Sequence, residues 1–180
     1  MPDEPAPPPL ARWHAGAPYE GPFDECVRRF KYPRAGLAGL DPAPEAVAGW
    51  LARRAARLAA ASSGRPHAVV PVPLHPTRLR RRGFSPATRL AAAVAREAGA
   101  PLASAALIRL RDTPSQTGLS RAERRRNVAG AFAAARPLAG CVWLVDDVAT
   151  TGSTLAAAAR AARAAGAAEL VGISAARALR

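Results

Sequence analysis

The sequence predicts an α/β fold, with a parallel twisted sheet flanked by helices and a small N-terminal helical segment. Two observations support this prediction. Short blocks of large apolar residues, such as those at 68–72 and 141–145, alternate with segments whose apolar residues recur at helical spacing. Basic or polar loops follow the predicted strands, and in a parallel sheet ligands bind at the carboxyl ends of the strands.

Composition and charge narrow the class of protein. The chain has 180 residues, with 26 Lys and Arg against 13 Asp and Glu, and a formal net charge of +13. No stretch approaches the roughly 18 consecutive apolar residues that indicate a membrane-spanning helix. The first residues are acidic and proline-rich, unlike a secretory signal. The two cysteines, Cys26 and Cys141, are too few for a disulfide framework or a zinc site, so we expect a cytoplasmic protein.

The positive charge has two explanations. Arginine supplies 25 of the 26 basic residues, and alanine, proline and glycine are abundant as well, which is typical of a GC-rich genome. However, residues 65–136 contain fourteen arginines and only three acidic residues, Glu97, Asp112 and Glu123. This clustering indicates a site for a polyanion.

The chain divides into three predicted parts. Residues 1–18 contain six prolines, which interrupt helices and central strands, so we expect a disordered arm there. Residues 19–64 form a helical segment, and residues 65–180 form the core domain.

The helical segment contains two predicted helices. In the first, which has Pro22 near its start, the apolar residues stand at positions i, i+3, i+4 and i+7. These residues are Phe23, Cys26, Val27 and Phe30. Residues 31–33 end this helix, and a second helix covers 44–61.

The core domain begins with a predicted strand at 68–72, followed by a basic loop at 73–83 and a helix at 87–98. A second strand is predicted at 105–110. The polar connection at 111–119 is long for a compact domain, and such loops are often lids.

A capping box then predicts a short helix, because Glu123 stands three residues after Ser120. A weaker strand pattern covers 130–134. The clearest strand is at 141–145, and it is followed by a loop, a helix at 153–165 and a last strand at 170–174. Strands that alternate with helices in this way predict parallel pairing.

The strongest functional pattern follows the strand at 141–145. Two adjacent carboxylates, Asp146 and Asp147 (the acidic pair), come at its open end, and because side chains alternate along a strand at least one should face the cleft. Small and hydroxyl-bearing residues at 149–154 then lead into a helix N-terminus, which favours anions. Carboxylates beside an anion-binding loop suit a ribose 5-phosphate ligand. The pattern lacks the glycine and lysine of a P-loop.

The segment at 142–154 resembles the phosphoribosyl pyrophosphate (PRPP) signature of type I phosphoribosyltransferases. This resemblance implies that the acidic pair binds the ribose hydroxyls and that the following loop binds the 5-phosphate. The implied ligand residues are Asp146, Asp147, Ala149, Thr150, Thr151, Gly152, Ser153 and Thr154.

Two further blocks resemble the ComF/GntX family, which is of this type. The first runs from Val70 to Phe84, and the second from Arg109 to Phe132; residues 19–32 fit more loosely. The cysteine-rich zinc module that usually opens these proteins has no counterpart here. At Ser85 and Pro86 the chain also lacks the family's usual Asn-Gln pair.

The resemblance implies roles for the arginine-rich segments. The loop after the first core strand corresponds to the pyrophosphate site, with Pro73, Leu74, Arg78 and either Arg81 or Arg82 as candidates and Arg80 more exposed to solvent. The lid region supplies the candidate residues Arg109, Arg111, Gln116, Arg124 and Asn127. At least one of the three arginines at 124–126 should face solvent. The implied cofactor is Mg²⁺, held through the ligand's phosphates, with Asp146 or Asp147 as the candidate protein ligand.

Two functions remain open from the sequence. The first is an enzyme that transfers ribose 5-phosphate from PRPP to an unidentified, nucleobase-like acceptor, and no residue identifies that acceptor. The second is a non-catalytic competence accessory that binds single-stranded DNA or a protein of the competence machinery. The few aromatic residues do not interleave with the arginines, as they would in a base-stacking surface. A homodimer is compatible with either function.

Overall fold

A computed structural model describes residues 7–32, 42–114 and 118–178. Within these ranges the chain forms six strands and six helices. They are β1 Arg12–Pro18, α1 Pro22–Lys31, α2 Ala43–Ser63, β2 Ala68–Pro71, α3 Pro76–Arg82, α4 Pro86–Ala98, β3 Leu107–Arg109, α5 Arg121–Val128, β4 Phe132–Ala134, β5 Cys141–Ala149, α6 Ser153–Ala164 and β6 Glu169–Arg177.

The main sheet has four strands in the order β1-β6-β5-β2, and all neighbouring pairs are parallel. Helices flank it, which confirms the predicted α/β fold and is consistent with a type I phosphoribosyltransferase-like architecture. Residues 101–103 extend the edge beside β2 through a single bridge from Leu102 to Val69. Among the described residues, no helix is both long enough and apolar enough to cross a membrane.

Strand β5 lies in the interior of the sheet, and its side chains alternate between two hydrophobic clusters. Trp143 and Val145 pack in the cluster formed with α1, α2 and α4, whereas Val142 and Leu144 pack in the cluster formed with α6. All four are fully buried. This double burial explains the continuous apolar run that identified the strand.

The predicted disordered arm at 1–18 is wrong for residues 12–18, which form the edge strand β1. Five of the six prolines precede this strand, and the sixth, Pro18, is its last residue, where an edge strand tolerates proline. The indole Nε1 of Trp13 donates a hydrogen bond to Ser174 Oγ in β6, at 3.1 Å. Helix α2 packs on β1 and β6, so the N-terminal elements share the core of the sheet.

The strands predicted near 105–110 and 130–134 exist, but they do not join the parallel sheet. β3 and β4 form a separate antiparallel ribbon, with Ile108 opposite Ala133. The edge position next to β2 is occupied by residues 101–103, so the ribbon packs instead against α6.

The basic segment predicted as a loop at 73–83 contains helix α3. His75 caps this helix by accepting a hydrogen bond at Nδ1 from the backbone N–H of Thr77, and Pro76 is the first helical residue. The predicted capping box of α5 is confirmed, since Ser120 Oγ accepts from Glu123 N–H at 3.3 Å and Ser120 N–H donates to Glu123 Oε2 at 2.8 Å.

Candidate functional site

The acidic pair lies at the carboxyl end of β5, between two adjoining cavities. The larger cavity has a volume of about 390 Å³, and the smaller one about 190 Å³. Four residues line both of them: Lys31, Asp146, Val148 and Thr154. Asp146 is half-buried and faces both spaces, whereas Asp147 is buried and lines only the smaller cavity.

The larger cavity is formed around the 149–154 loop. Every residue of that loop lines it, and the hydroxyls of Thr151 and Ser153 lie 2.7 Å apart. Gly152 has a φ of 68° and precedes the first turn of α6, and no side chain caps that turn. The backbone N–H groups of a helix N-terminus attract an anion, so this cavity suits a phosphate group.

The N-terminal strand supports this loop from behind. A Cβ atom on Gly152 would lie 2.7 Å from Pro7 Cγ and 3.2 Å from Trp13 Cζ3. Trp13 is in turn covered by the guanidinium of Arg177, which lies 3.9 Å from the ring centroid. Only glycine therefore fits the loop at position 152.

Lys31 joins the acidic pair from outside the sheet. It is the last residue of α1, and its Nζ lies 2.9 Å from Asp147 Oδ1. Burial acts to lower the pKa of Lys31, but the negative charges of Asp147 and Asp146 outweigh it and raise that pKa. The lysine is thus fully charged at neutral pH.

The two aspartates differ in their surroundings. Asp147 Oδ1 also accepts a hydrogen bond from the backbone N–H of Val148, at 2.6 Å. Asp146 Oδ1 accepts one from the backbone N–H of Asp147, at 2.9 Å. Burial, together with the charge of Asp147, raises the pKa of Asp146 to about 7, although Lys31 opposes this shift. Asp146 is therefore partly protonated near neutral pH.

The smaller cavity has a wall of three arginines, Arg78, Arg82 and Arg109, which we call the arginine wall. Arg78 donates to Asp112 Oδ1 at 2.8 Å and to the carbonyl of Thr113. Arg109 donates to the hydroxyl of Thr113 at 2.5 Å. Burial and the neighbouring Arg78 lower the pKa of Arg109, but a guanidinium stays protonated in proteins.

The third arginine of this wall has a different partner. Arg82 lies over the exposed ring of Tyr32, 4.7 Å from its centroid, in a cation–π contact. Pro73 and Leu74, which the sequence assigned to a pyrophosphate site, line the same cavity.

The other residues considered from the sequence fall into four groups. Arg124 lines the larger cavity and donates to the Thr150 hydroxyl at 2.7 Å, while its buried Nε has no hydrogen-bond partner among the described residues. Arg80 and Arg81 are exposed and are absent from the described lining of both cavities. Gln116 lies outside the described residues.

Arg111 and Asn127 stabilise the connection between β3 and α5 instead of lining either described cavity. Arg111 donates to the backbone carbonyls of Asn127 and Ala129, and the Asn127 side chain donates to the carbonyl of Pro114 at 3.0 Å. These contacts hold residues 111–114 against the C-terminal end of α5.

Sequence reasoning missed several residues that line the cavities, among them Lys31, Tyr19 and Tyr32. One signal was present for Lys31, because it is the only lysine in a chain with 25 arginines. Nothing local linked it to Asp147, which lies more than a hundred residues later.

The acidic pair offers limited space for a protein-bound metal. Among residues 7–32, 42–114 and 118–178, no three His, Cys, Asp or Glu side chains are grouped as metal ligands. One oxygen of Asp147 already contacts the Lys31 ammonium. The donor set therefore fits a magnesium ion carried by ligand phosphates near Asp146 better than one bound by both aspartates.

Comparison with known proteins identifies relatives along most of the chain. No protein-family model matches it. DNA utilization protein YhgH of Salmonella typhi is 34% identical over 168 residues, which cover 90% of this chain and 70% of the relative. Competence protein F of Haemophilus influenzae is 40% identical over 98 residues, which cover 50% of this chain and 41% of the relative.

YhgH of Escherichia coli K12 is 39% identical over 104 residues, covering 57% of this chain and 46% of the relative. The match to the Salmonella protein includes most of both chains. The chain therefore belongs to the ComF family, which includes DNA utilization protein YhgH and competence protein F.

Proposed function

We propose that this protein binds PRPP in the two cavities and transfers its ribose 5-phosphate group to an acceptor, releasing pyrophosphate. One observation carries the proposal: the order of the site matches the order of the ligand. Along the two cavities lie, in order, the anion-binding loop, the acidic pair and the arginine wall. PRPP has its 5-phosphate, its ribose hydroxyls and its pyrophosphate in the corresponding order.

Each part of the site suits one part of this ligand. The 5-phosphate would bind the 149–154 loop at the N-terminus of α6, with Arg124 beside it. Asp146 would accept hydrogen bonds from the ribose hydroxyls. The arginine wall would bind the pyrophosphate, because guanidinium groups can form paired hydrogen bonds with phosphate oxygens.

The chemistry would depend on positioning and charge. The bond between C1 and the pyrophosphate oxygen breaks, the electron pair leaves with pyrophosphate, and a nucleophilic atom of the acceptor bonds to C1. Magnesium held by the ligand's phosphates would neutralise charge on the leaving group. Asp146 would stabilise the positive charge that develops on the ribose ring.

A thermal-shift measurement tests the binding step. PRPP with Mg²⁺ should raise the melting temperature of the wild-type protein. The Asp146→Asn/Asp147→Asn double variant should lose that shift. Because this variant leaves Lys31 without its carboxylate partner, the single variant Asp146→Asn, which keeps the ion pair, should be measured beside it.

The control is Asp24→Asn, a change on the exposed side of α1. It should keep the full PRPP-dependent shift. A shift that persists in both acidic-pair variants would refute the assignment of this site.

A pyrophosphate-release assay tests the transfer step. PRPP would be incubated with a panel of nucleobases, and release with one of them would identify the acceptor. PRPP binding without release for any base would favour a non-catalytic role.

A second candidate function is binding of single-stranded DNA. The helices that supply cavity arginines also carry exposed ones: Arg80, Arg81, Arg121, Arg125 and Arg126. The names of the relatives refer to DNA utilization and competence. Exposed arginines around a site can contact successive phosphates of a nucleic acid strand.

The two candidates respond to different variants. Binding of a labelled oligothymidine should weaken steeply with salt, with a slope of about −0.7 per phosphate contacted. It should weaken further in Arg125→Met/Arg126→Met and persist in Asp146→Asn. Absence of binding at low salt would exclude this candidate.

A further inference from the structure

The Lys31–Asp147 ion pair is unusual in its location. Lysine side chains normally extend their ammonium groups into solvent, yet this one ends beside a buried carboxylate between two cavities. Removing two charges from water is costly, and many buried pairs add little stability. The arrangement therefore calls for an explanation other than stability alone.

The position of Lys31 is fixed by packing on both sides of it. Val27 and Phe30 bury the inner face of α1, and the Phe30 ring lies 5.9 Å from that of Phe84. On the other side, Tyr32 contacts Arg82 of the arginine wall. Helix α1 thus holds the ammonium at Asp147 before any ligand arrives.

A cation at this place has a chemical consequence. Two adjacent carboxylates at a phosphate site would attract a divalent metal ion, since carboxylate oxygens suit Mg²⁺ and Mn²⁺. The ammonium of Lys31 already occupies the Oδ1 side of Asp147, at 2.9 Å. A metal ion bound to the same oxygen would be repelled by that charge.

We propose that Lys31 is a positioning residue that replaces a protein-bound divalent cation at the acidic pair. It neutralises Asp147 and leaves Asp146 to bind the ribose hydroxyls. This inference rests on the proposed function, and it adds that the ribose 5-phosphate half of the ligand binds without metal. Magnesium is then needed only for binding of the pyrophosphate half, and it arrives bound to that half of the ligand.

Mn²⁺ binding to the ligand-free protein tests the replacement directly, using electron paramagnetic resonance of the free ion. Wild-type protein should show no Mn²⁺ site at the acidic pair. In Lys31→Met, Mn²⁺ should bind at the acidic pair at least about tenfold more tightly than in the wild-type protein. In Lys31→Met/Asp147→Asn, this binding should be lost again. Lys31→Arg, which keeps the charge, should gain none.

The matched control is Arg28→Met, which removes a positive charge from the exposed face of the same helix. It should leave Mn²⁺ binding unchanged. A wild-type Mn²⁺ site that Asp147→Asn removes would overturn the inference. A folded Lys31→Met variant without a new site would do the same, with folding checked by circular dichroism.

A second measurement needs no variant. The affinity of the wild-type protein for ribose 5-phosphate should agree within about twofold between EDTA and excess MgCl₂. An affinity about tenfold weaker in EDTA would overturn the inference while leaving the proposed function intact. If ribose 5-phosphate and PRPP both fail to bind, the proposed function fails, and the Mn²⁺ measurement still decides the role of Lys31.

Discussion

The 149–154 loop and the arginine wall lie on either side of Asp146, but different interactions form them. The loop consists of backbone and small side chains that follow a buried strand, with Pro7 and Trp13 packed behind Gly152. The arginine wall consists of long side chains from α3 and β3. Hydrogen bonds to Asp112 and Thr113 hold Arg78 and Arg109, and a cation–π contact with Tyr32 holds Arg82.

This difference indicates how each side recognises a ligand. The loop has one shape, since no side chain fits at position 152, and recognition there depends on geometry. The arginine wall would recognise a ligand by its charge, and its side chains have several rotatable bonds. Changes in the loop should therefore abolish binding, whereas changes in the wall should weaken it in a salt-dependent way.

The largest expected effect is that of Gly152→Ala. The new methyl group would meet Pro7 and Trp13, and an alanine with positive φ adds backbone strain of about 1 kcal/mol. We expect PRPP affinity to fall by about a hundredfold, and the free energy of unfolding by about 1–3 kcal/mol. Calorimetry and urea denaturation would measure these two quantities.

Gly130→Ala is the matched control, because Gly130 has a φ of 63° and no atom within 4 Å of its added Cβ. It carries the same backbone strain without the steric contact. Equal effects of the two variants on PRPP affinity would contradict the shape argument.

Arg82→Met should have an intermediate effect. It removes one charge from the arginine wall and the cation–π contact with Tyr32. We expect about tenfold weaker pyrophosphate binding, with a smaller salt dependence than in the wild type. Arg81→Met removes a charge one residue away on the exposed side of α3, and a comparable loss there would show that only net charge matters.

The smallest expected effect concerns the pH dependence of stability. The pKa of Asp146 is raised to about 7 in the folded protein, so the folded state binds its proton more tightly than the unfolded state does. Asp146 therefore costs stability as pH rises from about 4 to 7.

Asp146→Asn removes that cost, and the asparagine oxygen can still accept the hydrogen bond from Asp147 N–H. The ligand-free variant should match the wild type in free energy of unfolding near pH 4 and become progressively more stable than it as pH rises to 7. Urea denaturation at both pH values would measure this difference. A constant difference across the range would contradict the raised pKa.

The parts of the site that were predictable are contiguous in sequence. Asp146, Asp147 and the 149–154 loop follow one apolar strand, and local patterns suffice to place such a unit. The choice between Arg81 and Arg82 would not have been possible even had α3 been recognised as a helix. The two residues follow Arg78 by three and four positions, so both are its neighbours on the helix surface. Only the packing of α3 places Arg82 in the described lining of the smaller cavity.

The parts that were not predictable depend on contacts between distant residues. Strand β1 was mistaken for part of a disordered arm because the prolines at 1–18 are visible in the local sequence. The pairing of β1 with β6, in contrast, depends on residues far away in the chain. Trp13 and Ser174 are 161 residues apart in the chain. Lys31 was missed for the same reason, since it meets Asp147 only after α1 packs against the core.

The pairing of β1 with β6 also has a consequence for the order in which the protein folds during synthesis. β1 leaves the ribosome first among the described elements, but its partner strand is made last. Contacts of such large sequence separation form slowly because closing the intervening chain costs entropy. Trp13 lies against Gly152 in a fold that needs this closure, so the 149–154 loop gains its support from the N-terminal strand among the last steps of folding.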